Sequence, residues 1–229
     1  MIVLVYAPFL ERTIIPGSSN PGVMEKIPVR GRWVALAFDD GPSPRETGQV
    51  IQELAHYHAH ASFFVVGLNV SRARPLLREA VAQGNQVENH TEGHINLAAH
   101  TYYQDVKDLE VANRVISEIT GSSPRWLIPP YGAVNRTARR AASALNLRIV
   151  SASPGENVAN GAPSVSAIIH QVMSHVEPGA IIVLHDGPGN GATVKALPSI
   201  LSLLRVEGYQ IGSVGQVARQ GAIGRKLPE

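Results

Sequence analysis

Asp39 and Asp40 stand side by side at the end of an apolar run, Val34-Ala35-Leu36-Ala37-Phe38, and Gly41-Pro42 follows at once. No polar residue interrupts the run, so it reads as a strand buried on both faces, and the Gly-Pro pair ends it. Such a strand delivers two carboxylates to the rim of a core, where each opposes the other's charge. A cation or a proton between them relieves that cost. Further along, His90-Thr91-Glu92-Gly93-His94 spaces two imidazoles i, i+4, and Gly93 lets the chain bend between them. Taken alone, the pair is equally well two surface histidines. Joined to a carboxylate, it is a donor set of the catalytic metal type, with positions left open for water.

A second apolar run, Ile182-Val183-Leu184, also ends on a titratable group, His185, followed by Asp186-Gly187. A buried structural histidine is the plain alternative. An imidazole at such a rim titrates near neutral pH and can hand a proton to a leaving amine. In Leu127-Ile128-Pro129-Pro130-Tyr131-Gly132, two prolines restrict the backbone, so the Tyr131 N–H is held rigidly, as an oxyanion intermediate requires. Outside this context the same tetrapeptide is only a turn. His56, His58 and His60 have no accompanying carboxylate and read as a solvated helix end, and His100, His170 and His175 as surface residues.

These residues must be carried by strands. Short apolar runs at 34–38, 62–66, 86–89, 126–128, 147–151, 180–184 and 209–213 alternate with helical patterns near 44–57, 70–83, 104–119, 135–145, 163–175 and 193–207. That alternation implies parallel strands joined by right-handed crossovers, which either close into a barrel or stay open as a doubly wound sheet. Asp39, Asp40, His90, His94, Tyr131, Glu156 and His185 all fall just after strand ends, and a β/α barrel gathers those positions at one mouth. The expectation is therefore an α/β fold: a distorted (β/α) barrel of about seven parallel strands in a single domain. It would span 33–217, with an irregular lead-in over 1–32 and a frayed tail over 218–229.

The chain has 229 residues, 44% of them hydrophobic and 17% charged, enough to fill one large core. Net charge is +2 and aromatics make up only 5%. With no basic stripe interleaved with aromatics, no nucleic-acid partner is expected. Absence of cysteine excludes disulfides, zinc-thiolate sites and a cysteine nucleophile. The apolar stretch 1–10 lacks a leading Lys or Arg and is cut by Pro8, so it makes neither a convincing signal peptide nor a membrane span. A truncated export signal, a first strand and a loose arm all remain compatible with it.

Phe38-Asp39-Asp40-Gly41-Pro42, His90-Thr91-Glu92-Gly93-His94, Pro129-Pro130-Tyr131-Gly132 and Leu184-His185, in this order, resemble the motifs of polysaccharide deacetylases. These are the NodB-homology enzymes of carbohydrate esterase family 4. Ala61-Ser62-Phe63-Phe64-Val65-Val66-Gly67 is similar to that family's second strand, and the likeness extends over about 33–217. The resemblance implies a distorted (β/α) barrel and metal-dependent removal of N-acetyl groups from a glycan such as a chitin-like oligomer or peptidoglycan. It implies Asp40, His90 and His94 as metal ligands, usually for Zn2+, with Co2+ or Ni2+ as other divalent candidates. Asp39 would be the base that activates water, His185 the acid, and the Tyr131 N–H an oxyanion donor. Leu184, Pro130, Tyr131 and Glu156 would contact substrate. The substrate class implies action outside the cytoplasm or at the cell wall, with no stable membrane span in this chain.

Two departures stand out. Ile128 occupies the place where the family commonly has an Arg that orients the base, and Glu156-Asn157 replace the Asp-Trp whose Asp pairs with that Arg. Arg125 cannot substitute, because a three-residue offset on a strand reverses the side-chain face. Weakened or redirected catalysis is expected. Two other readings follow: a low-activity or inactive glycan-binding member of the same fold, and an amide hydrolase acting on a small N-acyl or cyclic metabolite.

Overall fold

The computed structural model describes residues 22–155 and 164–223, with side chains described as far as 221. Eight strands are present among them: β1 (Val23–Met24), β2 (Trp33–Asp39), β3 (Ser62–Val65), β4 (Gln86–Asn89), β5 (Trp126–Leu127), β6 (Arg148–Val150), β7 (Ile181–His185) and β8 (Gln210–Gly212). Seven run side by side in the order β1-β6-β5-β4-β3-β2-β7, every pair parallel, and β8 joins β2. Ala35 pairs with both Ile181 and Gly212, so β7 and β8 lie on opposite edges of β2. The two ends of the path meet without a full ladder, through the Ile27 N–H, which donates to Gly179 O at 2.8 Å, and the Ser153 N–H, which donates to Ile181 O at 3.0 Å. The result is the expected distorted β/α barrel.

Helices cover its outside: α1 (Glu46–His56), the single turn α2 (Gly67–Val70), α3 (Arg74–Ala82), α4 (Tyr102–Thr120), α5 (Arg136–Ala144), α6 (Val165–His175), α7 (Gly191–Val206) and α8 (Val214–Ile223). The stretch expected as one helix over 70–83 is two pieces, because Pro75 starts α3 afresh. The longest helix, α4, opens on a capping box between Thr101 and Gln104 and stops at Gly121, whose φ of 72° is left-handed.

Strand alternation divides the core in two. Val34, Leu36 and Phe38 face outward onto Val50, Leu54, Leu197 and Leu201 of α1 and α7. Ala35 and Ala37 face inward, onto Phe64, Trp126, Val150, Ile181 and Val183. Both faces of β2 are thus dry, which is why its sequence shows no alternation.

Regular structure extends past both ends of the 33–217 span. Within the otherwise irregular lead-in, Val23 and Met24 join the sheet by pairing with Ile149 and Val150, and the Ser153 hydroxyl donates to Glu25 O at 2.5 Å. A two-residue strand is too short to display a period. The tail is a helix as far as Ile223, with Val214 and Val217 fully buried in the barrel interior. Its glycines disguise it, since glycine is a poor helix former. A Cβ at Gly221 would lie 2.0 Å from Pro28 O, so close packing against the chain explains the choice.

Candidate metal and acid-base site

Three strands carry the chemistry on their inward faces. On β2 the inward series Ala35, Ala37 reaches Asp39 at the strand's end; on β7 Ile181, Val183 reaches His185. Register places Asp39 directly beside His185. His90 follows β4, and its Nδ1–H donates to Ile128 O at 2.7 Å. With that nitrogen committed, His90 Nε2 is the atom aimed at the carboxylates.

The sequence-expected metal ligands converge. Asp40 Oδ1 lies 3.3 Å from His90 Nε2 and 3.0 Å from His94 Nε2. Three donors around one tetrahedral divalent ion, with bonds of about 2.1 Å, are separated by roughly 3.4 Å. The donor set and its spacing therefore fit a cation. A second group shares Asp40: its Oδ2 is 3.2 Å from His185 Nδ1, which also lies 2.5 Å from Asp39 Oδ1. One carboxylate thus faces the imidazole pair with one oxygen and the acid-base pair with the other. Backbone strain is concentrated here, as Asp40, Thr91, His94 and Tyr131 all have left-handed φ values between 53° and 67°.

Charges in the cluster hold one another. Burial opposes ionisation of Asp40, but contacts from His185, His90 and His94 keep its carboxyl far below the usual carboxylate range. The contact with Asp40 raises His94, against a smaller effect of burial. Burial works against a charged His185, yet Asp39 and Asp40 together push its imidazole up to about 10. At neutral pH, without a cation present, His185 carries its proton.

A cleft of about 290 Å³ opens on this cluster. Asp39, Asp40, His90, His94 and His185 line it together with Ile128, Pro129, Tyr131 and Val183. Tyr131 stands at the rim, well exposed, with its hydroxyl 3.1 Å from His94 Nδ1. No arginine lines the cleft among the described residues, and Ile128 is packed inward with Trp126 and Val183, so the countercharge nearest Asp39 is His185. Arg125 sits at the opposite end of the barrel, in a polar cavity with Gln86, Glu88 and Arg148. Two expected substrate contacts are placed elsewhere. Leu184 is fully buried in the outer core with Phe38 and Phe63, because the residue between Val183 and His185 must face the other way. Pro130 is buried in its turn, and the neighbouring Pro129 lines the cleft instead. Glu156 and Asn157 lie outside the described residues.

One supporting residue lies beneath the site without belonging to any of the motifs. Asp186 is buried beneath the site, and the Thr47 hydroxyl donates to its Oδ2 at 2.5 Å. Burial raises its carboxyl to about 7; the Thr47 bond opposes this and the charges of Asp39 and Asp40 add to it. A Cβ at Gly41 would fall 2.4 Å from Asp186 Oδ1, so the turn after Asp40 packs directly on this carboxyl. The signal was available in the repeat of strand-end patterns, Asp39-Asp40-Gly41 against His185-Asp186-Gly187.

Both the sequence and the fold of this chain are matched by known proteins. Residues 26–150 match the polysaccharide deacetylase family model, and the chain belongs to that family. It is 30% identical over 201 residues to a peptidoglycan-N-acetylglucosamine deacetylase of Bacillus cereus, covering 85% of this chain and 92% of that one. It is 34% identical over 197 residues to a chitooligosaccharide deacetylase of Sinorhizobium fredii, covering 80% and 90%. Among solved structures, a family 4 acetyl xylan esterase from Clostridium thermocellum in complex with a cobalt ion superposes with a TM-score of 0.75 at 28% identity, covering 81% and 90%.

Proposed function

We propose that this chain is a metal-dependent hydrolase that removes N-acetyl groups from an amino-sugar polymer, a chitin-like oligomer or peptidoglycan, outside the cytoplasm or at the cell wall. The observation that carries the proposal is the convergence of Asp40, His90 and His94 on one point, with the Asp39–His185 pair 2.5 Å apart beside it. Asp40, His90 and His94 would hold the cation, with zinc the leading candidate and cobalt or nickel alternatives. Held there, such an ion supplies Lewis-acid polarisation of the acetyl carbonyl and a lowered pKa for water.

The remaining steps belong to the chain's own groups. Asp39 takes a proton from the attacking water, whose oxygen bonds to the acetyl carbon. The Tyr131 N–H, at the rim, donates to the oxyanion that forms. His185, in its imidazolium form, gives its proton to the sugar nitrogen as the carbon–nitrogen bond breaks, releasing acetate and a free amine. The relatives' substrates support the glycan assignment. Among the described residues no helix is long and apolar enough to cross a membrane.

The test is acetate release from N-acetylglucosamine oligomers by zinc-loaded protein. Asp39→Asn should lower the rate on the order of 10²–10⁴-fold while keeping the metal. Asp40→Ala should lose both metal and activity. No acetate from the wild type at high enzyme concentration defeats the proposal, and glycan binding without turnover would favour the lectin-like reading instead.

A further inference from the structure

The turn that carries the two imidazoles, His90 to His94, is held from outside on two sides: the Gly67 and Leu68 N–H groups of α2 donate to Thr91 O and Glu92 O at 3.0 Å each, and one carboxylate takes the turn's own central N–H groups. Thr91 and His94 both adopt left-handed φ values, 67° and 53°, which are uncommon outside glycine and, for the β-branched Thr91, a genuine outlier. Such a turn persists only when its surroundings over-determine it. Two of its bonds are local: the Thr91 N–H donates to Asn89 Oδ1 at 2.6 Å, and the Ile95 N–H donates to Thr91 Oγ1 at 3.2 Å. The two N–H groups at its centre reach across to α4. Glu92 N–H donates to Asp108 Oδ1 at 2.8 Å and Gly93 N–H to Asp108 Oδ2 at 3.3 Å. A carboxylate that accepts two successive backbone N–H groups fixes both the position and the tilt of the peptide between them. Helix α4 is itself anchored on the strand that precedes the turn, since Asn89 Nδ2 donates to Leu109 O and to Asn113 Oδ1.

We infer that Asp108 is a positioning residue for the cation: by clamping the centre of the turn, it sets the separation of His90 Nε2 and His94 Nε2 across Asp40. It touches neither ligand atom nor cleft, and acts through the backbone alone. The inference rests on the metal reading above. Asp108→Asn keeps the size of the side chain but presents an NH2 donor to one of the two N–H groups, so one bond is lost and a donor–donor contact replaces it. Asp108→Ala removes both bonds.

The experiment is calorimetric titration of zinc into chelator-treated wild type, Asp108→Asn, Asp108→Ala, the exposed neighbour control Lys107→Ala, and Asp40→Ala. Melting temperatures without metal are recorded for each. Loss of a group that orients metal ligands typically costs roughly 10- to 100-fold in affinity. Asp108→Asn should weaken zinc binding by that factor with little change in metal-free melting temperature, and Lys107→Ala should match the wild type. Hydrogen exchange at the Glu92 and Gly93 amides, measured without metal, should accelerate in Asp108→Asn, so a readout remains if Asp108→Ala fails to fold. Zinc affinity of Asp108→Asn within twofold of the wild type overturns the inference. Wild type that binds zinc no better than Asp40→Ala overturns the metal reading itself.

Discussion

At the scale of single residues, the site is a problem in charge compensation. Asp39 and Asp40 are delivered together to a poorly solvated rim, and in the absence of a cation the imidazolium of His185 is what balances them. That balance has a measurable consequence. The imidazole's value of about 10 in the fold lies above the ordinary 6.5, because the two carboxylates outweigh burial. A base with a raised value stabilises the fold fully below about pH 6.5 and loses that contribution as pH climbs through about 10. Chelator-treated protein should therefore melt at progressively lower temperature across that window. His185→Ala should show a flatter profile over the same pH range. Zinc draws on the same carboxylates, so adding it should also reduce the slope. A wild-type profile no steeper than that of His185→Ala would show that the pair does not exist in solution.

Elements differ in how much of themselves they reveal. β2 was legible because five consecutive apolar residues have no other economical reading, and its terminal Asp pair was legible with it. Asp108 was not, because its partners are backbone amides of a turn distant in sequence, and a lone Asp on an amphipathic helix reads as solvated. The burial of Leu184 in the outer core is not written in the Leu-His motif, because a motif names neighbours, whereas a strand sends adjacent residues to opposite sides. The seam between β4 and β5 was also invisible. These strands share one registered pair, Asn89 with Leu127, and below it the carboxylate of Glu88 takes the place of a ladder. Its Oε2 accepts the N–H groups of Arg125 at 2.7 Å and Trp126 at 3.0 Å. Burial raises Glu88 from 4.5 to about 7, with the two N–H bonds and the Arg125 charge opposing. Between those values the folded chain holds a proton that the unfolded chain releases, so stability falls as pH rises from about 4.5 to about 7. The size of the shift corresponds to about 3 kcal/mol. Glu88→Gln keeps a carbonyl acceptor and removes the ionisation. Denaturant unfolding at about pH 5 and about pH 8 should show the wild type losing stability that the variant retains; equal losses would refute the role given to Glu88.

On the scale of the whole molecule, the barrel separates what binds from what holds. The mouth gathers the strained, polar strand ends, while the floor is closed by α8, whose Val214 and Val217 fill the interior beneath Trp126 and Val183. Conservation of shape at the floor matters to folding, and placement of charge at the mouth matters to chemistry. A deletion at the floor should therefore lower stability without touching the cation site. Val217→Ala removes two buried methyl groups from a fully enclosed position and should cost about 2 kcal/mol in denaturant unfolding. Below its unfolding transition the same variant should bind zinc with wild-type affinity, because the change lies at the opposite end of the interior from Asp40, His90 and His94. Asp108→Asn is expected to show the reverse pattern, with weakened zinc binding and a melting temperature close to wild type. If Val217→Ala weakens zinc binding as much as Asp108→Asn does, floor and mouth are mechanically coupled, and the backbone clamp on the histidine turn is not what sets the geometry of the site.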